Sequence, residues 1–96
     1  MRILLLGSGG REHAMAYMMS QSKECEKLFI APGNAGTSEC GENLNISVND
    51  FAAIKNAVVE NKIDLVIVGS EEPLVKGIVD YFQADAILKN ILIVLD

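Results

Sequence analysis

The sequence predicts an α/β fold: a single domain built on a Rossmann-like, doubly wound parallel sheet of about five strands with flanking helices. Three observations predict it. Short, wholly apolar runs end in glycine, as in residues 3–6 before Gly7 and residues 65–68 before Gly69, which is the pattern of strands buried on both faces. Stretches of helical period separate these runs. The two patterns alternate along the chain, and such alternation implies parallel strands joined by right-handed crossovers.

The first strand reads over residues 3–6. A helix follows over about 11–22, with Ala14, Met15, Met18, Met19 and Ser22 as its apolar face. Residues 27–31 (KLFIA) form a second strand, stopped by Pro32-Gly33. Residues 33–42 are rich in Gly, Asn, Ser and Thr and read as a loop. Residues 45–48 suit a short third strand. Asn49 is a good N-cap for a helix over 50–61 that buries Phe51, Ile54, Ala57 and Val58. Residues 64–68 (DLVIV) make another buried strand. Pro73 suits the first position of a helix, and Leu74, Val75, Ile78, Val79 and Phe82 lie on one of its faces. Residues 90–95 (NILIVL) form the last strand. Its apolar residues fall near a sheet edge, where exposed strands favour association, so a homodimer is an expected assembly. The methionines and aromatic residues read as core filling or partly exposed packing.

Length and charge narrow the function. Ninety-six residues fit one domain, and half of them are hydrophobic. The formal charge of -5 argues against nonspecific nucleic-acid or anionic-membrane partners. A local anion site remains open, because backbone amides bind phosphate without net positive charge. Cys25 and Cys40 form no CxxC pair, and one histidine is present, too few soft ligands for zinc. No metal site and no disulfide are expected. The apolar N-terminal run stops at Gly7, short of the roughly 7–15 apolar residues of a signal peptide. No stretch approaches the roughly 20 apolar residues of a membrane span. The expected location is the cytoplasm.

Ligands of open α/β sheets bind beyond the carboxyl ends of the strands. Three segments follow strands and would share that rim: residues 7–13 (GSGGREH), 31–37 (APGNAGT) and 69–74 (GSEEPL). The first has the chemistry of an anion cradle. Gly7, Gly9 and Gly10 let a ligand approach the backbone, the following helix offers N–H groups and a positive end, and Arg11 adds a guanidinium. A tight turn without a ligand is the alternative. A dinucleotide-binding module of an oxidoreductase would need glycine where Glu12 stands and an acidic residue where the second strand ends in Ala31-Pro32-Gly33. Both departures count against NAD or FAD. Glu12 reads equally as a helix cap or a ligand contact, and His13 as a packing residue or an acid–base group lacking an identified partner. Asn34 shapes its own turn or meets a ligand. Of Glu71 and Glu72, one is expected to face the rim and the other solvent.

Together these segments resemble a known family. Residues 7–14 (GSGGREHA) look like the opening signature of glycinamide ribonucleotide synthetases (phosphoribosylamine–glycine ligases). Residues 31–37 resemble the family's second motif, and 64–69 followed by 72–75 (EPLV) and 77–80 (GIVD) its third. The likeness runs over residues 1 to about 83. It implies the N-terminal, pre-ATP-grasp domain of a purine-biosynthesis ligase that joins 5-phosphoribosylamine to glycine with ATP and magnesium. In that scheme the domain spans residues 1–96 and helps hold phosphoribosylamine through Ser8, Gly9, Gly10, Arg11 and Glu12, with Asn34, Gly36 and Glu71 as further contacts. The resemblance supplies no catalytic residue here. It places the ATP, magnesium and glycine sites in ATP-grasp and C-terminal domains absent from these residues, so neither cofactor is expected to bind this chain and the chain alone is expected to be inactive. Two departures stand out: Gly69-Ser70-Glu71 replaces the family's Gly-Pro-Glu, and residues 92–96 replace a Gly-Pro turn. The remaining alternative is a noncatalytic interaction domain.

Overall fold

The structure, a computed structural model, describes residues 1–95. Its strands are β1 (Arg2–Gly7), β2 (Lys27–Pro32), β3 (Glu42–Asn43), β4 (Leu65–Val68) and β5 (Leu92–Leu95). All pairings are parallel, in the order β3-β2-β1-β4-β5. The most apolar run takes the centre: Leu4, Leu5 and Leu6 of β1 are fully buried, because a central parallel strand meets protein on both faces.

Helices α1 (Gly10–Ser20), α2 (Phe51–Glu60), α3 (Glu71–Val75) and α4 (Ile78–Ala84) divide between the faces. One face carries Leu4, Leu6, Phe29, Ala31, Val66 and Val68 against Ile54 and Val58 of α2 and Ile78 and Phe82 of α4. The other carries Ile3, Leu5, Leu28 and Ile30 against Ala16 of α1, with Met15, Met19, Cys25, Cys40, Leu65 and Ile67 around them. Both thiols are free, and burial pushes the Cys25 thiol up.

Four expectations change. The third strand is Glu42–Asn43, ahead of residues 45–48, because the loop closes early: Gly41 N–H donates to Thr37 O at 3.0 Å. Asp50, not Asn49, caps α2, its side chain accepting from Ala53 N–H at 3.1 Å. The helix expected from Pro73 begins at Glu71 and is broken in two at Gly77, whose φ of +91° is left-handed. In α1 the buried residues are Glu12 and Ala16; Met15 and Met19 of the expected face pack partly buried beside them, while Met18 is 73% exposed. Methionine is therefore not uniformly core material here.

Lys55 of α2 and Asp85, just after α4, meet at 2.6 Å. Asp85 Oδ1 also accepts from Ile87 N–H at 2.8 Å and Leu88 N–H at 3.0 Å, fixing the turn that delivers the chain to β5. The Lys55 ammonium first, then the Leu88 and Ile87 amides, lower the Asp85 carboxyl from 3.8 to about 2. A depressed carboxyl stabilises the fold above its unfolded value and loses that contribution as pH falls through the folded one. We expect Asp85→Asn to remove the part of the acid dependence between pH about 4 and about 2. Urea midpoints measured across that range should differ most at the upper end and converge at the lower.

Candidate functional site

The loops after β1, β2 and β4 leave the sheet at the same rim because the ladder carries on into them. Gly33 N–H donates to Gly7 O at 3.0 Å, and Gly69 N–H to Leu6 O at 2.9 Å. What happens beyond that level depends on Glu12. This side chain stands at the third position of α1 and is only 6% exposed. Its Oε1 accepts from Gly9 N–H at 3.0 Å and Ser8 N–H at 3.2 Å, so it satisfies loop amides that a helix N-terminus otherwise leaves open. The stem of Glu12 runs between Gly7 and Gly69. A Cβ at Gly7, where φ is +149°, would overlap it, and one at Gly69 would stand 2.9 Å from Glu12 Cγ. The carboxylate thus occupies the place where a dinucleotide fold keeps a glycine.

The second loop is tied to the first by Asn34. Its Nδ2 donates to Ser8 O at 2.8 Å, and its Oδ1 accepts from Thr37 N–H at 3.0 Å. Thr37, fully buried, takes Asn34 N–H at 2.7 Å and donates to Asn43 Oδ1 at 2.7 Å. Asn43 Nδ2 closes the ring on Asn34 O at 2.8 Å. The Ala31–Pro32 peptide preceding this loop is cis. Gly36 lies under the His13 imidazole: a Cβ there would come within 2.6 Å of Nδ1. His13 itself is exposed.

Ser8, Gly9, Gly10, Arg11 and Glu12 therefore share one turn, and Asn34 and Gly36 join it across the rim. Ser8, Gly9, Gly10 and Arg11 are exposed, whereas Glu12 is enclosed. Glu71 opens the short helix α3 and faces solvent, as does Glu72. Glu72 bonds Asn49 Nδ2 at 2.5 Å, so it links the third loop to the segment before α2. Thr37 and Asn43 were not among the sequence candidates. The Asn-x-x-Thr spacing of 34 and 37 signals reciprocal capping. Nothing local marks Asn43, whose partners Thr37 and Asn34 are six and nine residues away.

The exposed face of the rim presents the first turn of α1 and the Arg11 side chain, an arrangement suited to an anion. Among the described residues no three His, Cys, Asp or Glu side chains gather to hold a metal ion, and the enclosed carboxylate already serves two amides. These residues do not fit a magnesium–nucleotide site.

Two substitutions test the Glu12 clamp. Glu12→Ala should cost about 1–3 kcal/mol by orphaning the loop amides. Gly7→Ala should cost a similar amount, roughly 1–3 kcal/mol, by crowding the carboxylate stem. The double variant should lose less than the two together, because the contact is shared. Denaturant unfolding of all four chains checks this, and strict additivity would remove the clamp.

Residues 1–91 match the family described as phosphoribosylglycinamide synthetase, N domain. The phosphoribosylamine–glycine ligase of Caldanaerobacter subterraneus subsp. tengcongensis is 51% identical over 83 residues, 86% of this chain and 20% of the relative. The enzyme of the same name from Escherichia coli K12 is 50% identical over 86 residues, 88% of this chain and 20% of the relative. A crystal structure of phosphoribosylamine–glycine ligase from Thermotoga maritima superposes with a TM-score of 0.59 at 29% identity, over 75% of this chain and 16% of that one. The chain thus spans about a fifth of the length of these curated relatives. The family match runs over nearly the whole chain, and the chain belongs to the phosphoribosylglycinamide synthetase N-domain family.

Proposed function

We propose that this chain is the substrate-holding, pre-ATP-grasp part of a cytoplasmic phosphoribosylamine–glycine ligase. Its task in that enzyme is to hold 5-phosphoribosylamine on the rim formed by Ser8–Glu12, Asn34, Gly36 and Glu71. The observation that carries the reading is the joining of loops one and two by Asn34 and of loops one and three by Glu12. Three separate motifs thereby become one surface at the carboxyl edge of the sheet, where ligands of this architecture bind.

Ser8 and Gly9 amides serve Glu12 Oε1, and the phosphate is assigned to the start of α1 beside them, at Gly10 and Arg11. The positive helix end and the Arg11 guanidinium both favour an anion there. Next to them, the buried carboxylate disfavours a second anion and suits the ribose hydroxyls or the amine. ATP and magnesium would act on residues outside this chain, where glycine activation belongs, and the chain alone would be inactive. A dinucleotide module is disfavoured, since Glu12 holds the amides that a pyrophosphate would take.

Ribose 5-phosphate is the probe for this reading. Titration to millimolar concentration should move the amide resonances of Gly10 and Arg11 most, and Arg11→Ala should weaken binding about tenfold, the loss of one charge-assisted contact. Unmoved Gly9–Arg11 resonances at that concentration would end the proposal. Stabilisation by NAD or FAD, but not by ribose 5-phosphate, would replace it with the dinucleotide reading.

A further inference from the structure

Two glycines of the rim are not required by their backbone. Gly36 sits at φ -71°, ψ -39°, and Gly10 is the first residue of α1, with no left-handed φ. Any residue adopts such right-handed conformations, and glycine is a poor choice among them. What a side chain would meet differs between the two. At Gly36 a Cβ would overlap His13 Cε1 and stand 2.6 Å from Nδ1 and 2.8 Å from Nε2. Near-equal distances to three ring atoms put the face of the imidazole, not an edge, on the glycine. At Gly10 a Cβ would meet no atom within 4 Å, so the space beside the first turn of α1 is open. His13 is exposed, and an exposed helical side chain is ordinarily free to turn to solvent. Here the ring lies on the second loop instead, and neither of its nitrogens is hydrogen-bonded among the described residues. Helical side chains lean over the turn N-terminal to their own Cα, which for His13 is the Gly9–Gly10 side. The ring therefore stands between the open space at Gly10 and the second loop.

We propose that His13 is a phosphate-contacting residue: seated on Gly36, it donates a ring N–H to the phosphate of 5-phosphoribosylamine held at Gly10 and Arg11. The inference rests on the substrate reading above and deepens it. The chemistry suits the place. In either charge state an imidazole carries at least one N–H, and a hydrogen bond to an anionic oxygen is among the strong ones. Each glycine then has a reason. Gly36 is the platform, since a methyl group there would push the ring off the second loop. Gly10 keeps the phosphate oxygens clear of a side chain. The second loop takes part in binding through Gly36, while Asn34, Thr37 and Asn43 hold its shape. A ring that only packed on the loop would have no need of its nitrogens, and that difference is what an experiment can read.

His13 is the single histidine of the chain, so its ring signals are read without ambiguity. On titration with ribose 5-phosphate, the His13 ring resonances should move together with the Gly10 and Arg11 amides. Inorganic phosphate should move them in the same direction, and ribose should not. His13→Phe keeps a flat ring on Gly36 and removes the donor, and should weaken ribose 5-phosphate binding about tenfold. His13→Gln keeps an N–H and should bind more tightly than His13→Phe. Gly36→Ala removes no donor, yet by displacing the ring it should weaken binding as His13→Phe does. Gly10→Ala should raise the thermal midpoint while weakening binding, a split that a purely structural role does not produce. Amides that move while the His13 ring stays unmoved would leave the substrate reading standing and overturn this inference. So would a His13→Phe chain that binds as tightly as the wild type, or a His13→Gln chain that binds no better than His13→Phe. If His13→Phe does not fold, the ring signals of the wild-type chain decide. Ribose 5-phosphate that moves none of these signals at millimolar concentration would end both readings.

Discussion

The rim of this domain depends on one enclosed carboxylate. Glu12 lies beneath the loop that its own helix follows, binds the Ser8 and Gly9 amides, and spaces that loop from Gly69. Enclosing a carboxylate costs several kcal/mol. Two charge-assisted hydrogen bonds return about 1.5–3 kcal/mol each, and the positive end of α1 adds up to about 2 kcal/mol. The two sides roughly cancel, so the clamp contributes little net stability. What it contributes is a single conformation: with the amides bound to Oε1, the glycine-rich turn loses the freedom its composition would otherwise allow. The glycines at 7 and 69 are required for the complementary reason, that any side chain there would occupy the carboxylate's space.

Seen this way, glycine-rich loops on apparently similar sheets separate by what fills the third position of the turn. A glycine there would let the helix settle against the strand and leave the amides to a pyrophosphate. A glutamate spends the same amides internally, and in the proposed reading the anion then sits one residue along, at Gly10 and Arg11. The second loop is held to the same standard. Asn34, Thr37 and Asn43 bond one another in a closed ring, and the Asn34 side-chain amide donates outside it to Ser8 O and Gly9 O. The side chains with the most ligand-like chemistry in the motifs are thus largely committed to each other. Around them the rim exposes backbone, the Arg11 side chain and the imidazole over Gly36.

How much of this was legible in the sequence follows from the range of the interactions. The central strands were plain because residues 3–6 and 65–68 contain no polar side chain, and only a two-sided environment accommodates such runs. Gly7, Gly9, Gly10 and Arg11 announced an anion-favouring turn by residue type. The third strand and the face of α1 were not legible. The first depends on the Thr37–Gly41 closure, and the second on a glutamate taking a sheet-facing position that pattern reading reserves for apolar residues. Glu12 remained balanced between cap and contact until the positions of Gly7 and Gly69 showed which space its stem occupies. Gly36 read as a candidate contact, and only the structure brings the His13 ring against it.

The unevenness of the two sheet faces is itself a consequence of topology. Right-handed crossovers from β3 to β4 and from β4 to β5 place α2, α3 and α4 on one side. Only the β1-to-β2 crossover serves the other, and one helix about 10 Å wide cannot cover a five-stranded sheet whose strands lie about 4.8 Å apart. The apolar character of Leu65, Ile67, Leu92 and Val94 is then a requirement left unmet by the helices already counted.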